Sequence, residues 1–372
     1  MRPLEGLRVV ELARVLAGPW CGQLLADLGA EVVKVERPGA GDDTREWGPP
    51  FVTGADGENL GAAYYHSCNR GKRSVAIDIA SAAGQAEVRA LLADADVVIE
   101  NYKVGGLVKY GLDPARLRAD FPRLIVCSIT GFGQTGPYAH RAGYDFIVQA
   151  MSGFMSLTGE PDGAPQKAGI AYADIFTGMY SAVAILAALR RRDVSGGGAH
   201  IDMALLDSQV SVLANQAANY LASGVSPKRM GNGHANVVPY QAFATADGQL
   251  VVAVGNDSQY RKLCAILGEP QWADDARFAN NAARLANRAA LIPLLAAKIA
   301  TWDAQPLSLA LEAEGVPAGP INDLAGVFAD PQVIARGMRF RPEGASIDGV
   351  ASPIVIDGER MVAPTGAPPL TP

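Results

Sequence analysis

The stretch "AGIAYADIFTGMYSA", residues 168–182, contains one ionisable acid, Asp174, and no other formal charge stands between Lys167 and Arg190. A lone carboxylate at the head of an apolar, alanine-rich run has two physical readings. It is a helix cap, accepting backbone N–H groups at the first turn of the helix that follows. Or it is a carboxylate kept out of bulk water among small neighbours, which makes a positioned nucleophile or base. On these residues alone both readings stand open.

A second set of chemically capable residues lies in "KVERPGAGDDTREWGPP", "NRGKRSVAID", "IENYKVGG" and "GFGQTGPYAHRAGYDF". Each follows or begins an apolar run that reads as a strand. Arg37, Arg70, Lys72, Arg73, Lys103 and Lys109 come from separate places in the chain, and gathered together they would suit a phosphate-rich ligand. The histidines (His66, His140, His200, His234) and cysteines (Cys21, Cys68, Cys127, Cys264) form no HxxxH, HxH or CxxC spacing, so no metal site is expected.

The elements that must position these residues alternate. "LRVVEL" (7–12) reads as a buried strand, "GPWCGQLLADLG" (18–29) as a helix with Pro19 in its first turn, and "AEVVKVE" (30–36) as a second strand. "SVAIDI", "GQAEVRALLADA" and "DVVIEN" repeat the pattern over 74–101, and "GLDPARLRADFP" with "LIVCSITGFG" repeats it over 111–133. Alternation of this kind predicts a parallel sheet covered by helices, with ligand sites at the carboxyl ends of the strands. The turn after the first strand reads "ARVLAGPWCG", not GxGxxG, although Glu36 ends the second strand where a ribose-binding acid would sit. No P-loop, GxSxG or HExxH occurs. A long helix is expected from Asp174 to about Arg192, then a strand at "IDMAL" and one helix to Gly224. "VPYQAFATADGQLVVAVG" (238–255) reads as a β-hairpin about Asp247-Gly248. The expected fold is α/β: a Rossmann-like, parallel-sheet large domain without a dinucleotide fingerprint (1–224 and 326–372) and a smaller α+β domain (225–325).

Composition narrows the class. The 372 residues are 49% hydrophobic and 19% charged, with a net charge of −6 and no basic block, which disfavours nucleic acid and anionic membrane as partners. The N-terminus lacks a signal-peptide pattern, and the most apolar run, 175–189, is too short for a bilayer span, so a cytoplasmic protein is expected.

The motifs "LEGLRVVELARVLAGPWCGQLLADLGAEVVKVERPGAGDDTREWGPPF", "NRGKRSVAID", "ENY", "SITGFGQTGPYAHRAGYDF" and "GIAYADIFTGMYSAVAILAAL", in this order and over nearly the whole chain, resemble the family III CoA-transferases. The resemblance implies that Asp174 is the nucleophile, with capping as a companion role. Its carboxylate would attack an acyl-CoA thioester to give a mixed anhydride and CoA thiolate, then an aspartyl-CoA thioester, and the acceptor acid would reverse the sequence. A helix N-terminus favours the ionised acid, so burial need not protonate it. The resemblance further implies CoA contacts from Leu16 and Ala17 in the first βα turn, Arg37 near the phosphates, and Ile77 and Asp78 near the adenine. Asn101, Tyr102 and Lys103 belong to the turn after the fourth strand, and Lys109 occupies a position often basic. Thr130 and Ala142 stand where the oxalate-using relatives have lysines, which thins the basic lining.

Racemases of the same fold carry a histidine thirty residues before the aspartate. Here that residue is Tyr144, a weak proton carrier at neutral pH that can still orient a carboxylate by hydrogen bonding. A 2-methylacyl-CoA racemase is thereby disfavoured, and a non-catalytic CoA-binding protein would give Asp174 no purpose. The expectation is CoA transfer from an acyl-CoA donor, succinyl-CoA, to glutarate or a related dicarboxylate. The acyl-CoA is a substrate, no cofactor is tightly bound, and the resemblance implies an interlocked homodimer. Arg45 and Arg141 are candidates for the distal carboxylate of such substrates.

Overall fold

The structure, a computed structural model, describes residues 2–371. Six strands form one sheet: β1 (Arg8–Glu11), β2 (Glu31–Glu36), β3 (Lys72–Ala76), β4 (Val97–Glu100), β5 (Ile125–Thr130) and β6 (Ala199–Ala204). All are parallel, in the spatial order β3-β2-β1-β4-β5-β6. Their runs of Val and Ile are buried on both faces, as a sheet sandwiched between helices requires. One face packs Val9, Ile99, Ile125 and Cys127 with helix α1 (Ala17–Asp27); the other packs Val10, Val98 and Val126 with α2 (Ala82–Ala93) and α3 (Pro114–Asp120). The strand order reverses between β1 and β4, and the crevice at their carboxyl ends is where open α/β sheets bind ligands.

After β5 come α4 (Asp145–Met151) and α5 (Tyr172–Ser195), then β6, α6 (Leu205–Ser211) and α7 (Ala214–Ser223). The single helix expected over 206–223 is broken in two, with Ala214 at φ 46° marking the break. α5 is also longer than the apolar run suggested. Its 24 residues suffice by length and composition to cross a membrane, yet Ala173, Ala182, Ile185 and Ala188 are buried in the core and Arg192 pairs with Asp96 at 2.8 Å. It is a core helix. Gly178 lets it close on α1, because a Cβ there would lie 2.6 Å from the Ala17 carbonyl oxygen.

The chain divides into two compact units. One holds the sheet; the other comprises Ser226–Asp330 and the separate segment Ser156–Gln166. The second unit has a three-stranded antiparallel sheet whose hairpin, Tyr240–Ala244 and Gln249–Ala253, turns at Asp247-Gly248; Ala318–Pro320 adds the third strand. Its core is Phe243, Leu250, Val252, Leu263, Leu295 and Leu307.

Candidate active site

At the switch point, the turn after β1 and the turn after β4 are tied together. The Asn101 side chain accepts the Arg14 N–H (3.0 Å) and donates to the Arg14 carbonyl (2.7 Å). Between them, Val15 takes φ 73°, a left-handed conformation that is costly for a β-branched residue. The Val15 N–H points to both oxygens of the Asp42 carboxylate at 3.3 Å. A buried charge network stands behind this turn. Glu11, opposite Lys34 in the β1–β2 register, accepts from the ammonium groups of Lys34 (2.9 Å) and Lys72 (3.0 and 2.9 Å), and Lys34 also reaches Asp42 (2.9 Å). Burial works against the charged form of Lys34, but Glu11 and Asp42 outweigh it and hold its pKa above the ordinary lysine range.

This turn forms one wall of a cavity of about 710 Å³, lined also by the β4 and β5 turns and by the start of α5. Leu16, Ala17, Asn101, Tyr102, Lys103, Lys109, Tyr144 and Asp174 all line it. Arg37, Ile77 and Asp78 line a second cavity of about 280 Å³ that shares Arg14, Tyr102 and Tyr110 with the first. Thr130 and Ala142 face the larger space. These residues thus gather around two adjoining cavities at the carboxyl ends of the strands.

Some sequence expectations fail here, each for a physical reason. Arg70 and Lys72 are not available to a ligand: Arg70 forks onto Asp27 (2.8 and 2.6 Å), and Lys72 is spent on Glu11. Arg73 is exposed and lines neither cavity. Arg45 is excluded as a carboxylate receptor because Glu36 already holds its guanidinium at 2.9 and 2.7 Å. The same contact answers the question of Glu36 as a ribose acid. Its oxygens also accept from Ser74 Oγ (2.7 Å) and the Asp42 N–H (2.7 Å), so it holds a loop together.

Asp174 is the third residue of α5 and caps nothing: the N-cap position is Ala171, with no side-chain cap bond. The donor at this terminus, the Ala173 N–H, goes instead to Asp145 Oδ1 at 2.8 Å. Nor does the helix terminus keep Asp174 acidic. Burial first, and the neighbouring Asp145 charge second, push its pKa from 3.8 up to about 7. No Lys or Arg reaches ion-pair distance of Asp174 among the described residues. The Tyr64 hydroxyl is held above the usual tyrosine range by burial and by Asp174, and its ring meets Trp47, a cavity residue, edge to face at 5.4 Å. The sequence reading passed over Tyr64, Trp47 and Arg14 as site residues. "AAYYHS" carries no signal of its own, because only the tertiary fold brings that short helix (Ala63–Ser67) near α5.

An ionisable carboxylate raised toward neutrality, facing a long cavity at a switch point, fits covalent or general-base chemistry on an elongated substrate. The family model for CoA-transferase family III matches residues 4–371. The chain belongs to CoA-transferase family III. This CoA-transferase is 60% identical over 95% of its length to a succinate–glutarate CoA-transferase of Agrobacterium fabrum, covering 89% of that protein. It is 45% identical to the succinyl-CoA:glutarate CoA-transferase of Mus musculus, over 95% of this chain and 80% of the mouse protein. Among solved structures, a CAIB/BAIF family protein from Brucella suis superposes with a TM-score of 0.89 at 57% identity, over 99% of this chain and 96% of that one.

Proposed function

We propose that this CoA-transferase moves CoA from succinyl-CoA to glutarate or a closely related dicarboxylate, with Asp174 as the covalent nucleophile. The observation that carries the reading is Asp174 itself: half-buried in the cavity wall, free of any counter-ion among the described residues, and raised to about 7. Such a carboxylate is weakly solvated and more basic than an ordinary aspartate, which favours attack on a thioester carbonyl. Attack forms the acyl–aspartyl anhydride and expels CoA thiolate. The thiolate then attacks the aspartyl carbonyl, leaving aspartyl-CoA and free succinate. The acceptor carboxylate attacks aspartyl-CoA, and the returning thiolate takes the acceptor's acyl group and restores Asp174. The smaller cavity, with Arg37, Ile77 and Asp78, would take the nucleotide end, and the larger one the pantetheine arm and acyl group. Asn101 serves by fixing the shape of the crevice, since its amide is committed to Arg14.

Arg141 would receive the distal carboxylate. It lines the larger cavity, has no ion-pair partner among the described residues, and stacks its guanidinium over Tyr138 at 4.6 Å. With succinyl-CoA and a panel of acids, mass analysis of the CoA products should show dicarboxylate thioesters and little monocarboxylate product. Arg141→Ala should lower kcat/KM for the dicarboxylate by roughly 10–100-fold, the scale of a charged hydrogen bond. Transfer to monocarboxylates alone would refute the substrate class. The homodimer is part of this proposal, favoured by Phe146, Ile147, Met179 and Val183, large apolar side chains that α4 and α5 leave exposed. A monomeric mass by light scattering at micromolar concentration would remove it.

A further inference from the structure

Helix α4 carries two polar side chains one turn apart, and both reach into the segment that presents Asp174. Asp145 Oδ1 accepts the Ala173 N–H at 2.8 Å, while Asp145 Oδ2 accepts from Gln149 Nε2 at 2.7 Å. The fully buried Gln149 in turn accepts the Ala168 N–H at 2.8 Å through Oε1. Two backbone donors that flank the entry to α5 are therefore bound by one rigid pair, and the pair is braced internally. Thr177, one turn on, bonds back to the Ala173 carbonyl at 2.6 Å and stiffens the same turn. Helix termini that lack a local cap need such a remote acceptor, and here Ala171 at the N-cap position supplies none.

We propose that Asp145 is the positioning residue for Asp174: it holds the first turn of α5 through Ala173, and its negative charge acts on the nucleophile directly. This rests on Asp174 being the nucleophile. The like charge of Asp145 works in the same direction as burial, keeping Asp174 basic. Other groups around Asp174 do not substitute for it. Tyr64, from the helix Ala63–Ser67, is neutral at working pH. Against α5, α1 brings Ala17 and Trp20, both uncharged, and α6 carries Asp207 on an exposed face. Arg141 and Tyr144 line the same cavity, without an ion pair to Asp174.

The pH profile of kcat/KM separates charge from support. In the wild type the acid limb should fall near pH 7. Asp145→Asn keeps an oxygen for the Ala173 N–H but removes the charge, and the limb should move down by about one pH unit. Asp145→Glu keeps the charge and displaces the oxygen, so the limb should stay while kcat falls severalfold. A limb that is unmoved in Asp145→Asn overturns the proposal. Carboxyl carbon NMR should show the same downward shift for Asp174 itself in Asp145→Asn, and an Asp174 titration that does not differ from the wild type would also overturn it. Covalent trapping on Asp174 reads the nucleophile separately, so loss of the adduct in the wild type would sink that reading, whatever the limb does.

Discussion

Asp174→Asn should abolish CoA transfer, by about three orders of magnitude or more, and leave the fold intact. The substitution keeps the volume of the side chain and removes the anionic oxygen that attacks. Because Asp174 is no cap, no hydrogen bond of α5 is lost. Its effect on stability should even be favourable at alkaline pH. The folded chain raises Asp174 from 3.8 to about 7 and so holds the proton more tightly than the unfolded chain does. The stability linked to this group is therefore present below about pH 4 and lost as pH rises through about 7. At pH 8 the wild type keeps an ionised acid in a site that disfavours it, and the asparagine does not. Solvent in the cavity screens part of the difference, leaving a gain of about 1–2 kcal/mol. Acyl-CoA binding should persist, since the walls that Arg37, Leu16 and Tyr102 contribute are untouched. Chemical denaturation at pH 5 and pH 8 reads the sign: an advantage of the variant that grows with pH is expected, and a destabilised variant at pH 8 would contradict it.

Glu11→Gln should have the largest effect on stability, about 3–5 kcal/mol in the unfolding of the unit that carries the sheet. Glu11, Lys34 and Lys72 are all buried, and the Glu11 carboxylate faces both ammonium groups. Neutralising it leaves Lys72 without an anionic partner and Lys34 with Asp42 alone. No shift of the backbone relieves this, because α1 closes over the site: a Cβ on Gly22 would stand 1.9 Å from Glu11 Oε2. The damage should extend to function. Asp42 is drawn between Lys34 and the strained Val15 turn, so a Lys34 that moves takes the cavity wall with it. A urea midpoint within experimental error of the wild type would show that the network is not a unit.

The sheet was legible because its strands are short apolar runs separated by amphipathic helices, a pattern with period and order. Ligand sites at the carboxyl ends of the strands followed from that alternation, and the polar turns after β1, β2 and β4 marked their rim; the switch point itself rests on the spatial order of the strands. What sequence could not resolve was direction. Lys72 and Arg70 look like the cations of a phosphate site, and Arg45 like a receptor for a carboxylate, until the fold turns them inward onto Glu11, Asp27 and Glu36. A charge within a strand shows its face only relative to its neighbours, and here neighbouring strands carry charges that cancel inside the core. Asp145 escaped notice for another reason. Its partner is 28 residues on, at Ala173, one residue before the position where the sequence starts the helix, so no local pattern links the two. Arg141 was readable only as one of two candidates, and the engagement of Arg45 with Glu36 leaves it as the one proposed.

The most direct measurement is covalent trapping. Wild-type enzyme mixed with succinyl-CoA and quenched with hydroxylamine or borohydride, then digested and read by mass spectrometry, should give one modified peptide with the change on Asp174. The Asp174→Asn variant, folded and still binding acyl-CoA, should give none. An unmodified Asp174 peptide during active turnover, or a transfer rate near that of the wild type in the variant, would contradict the account.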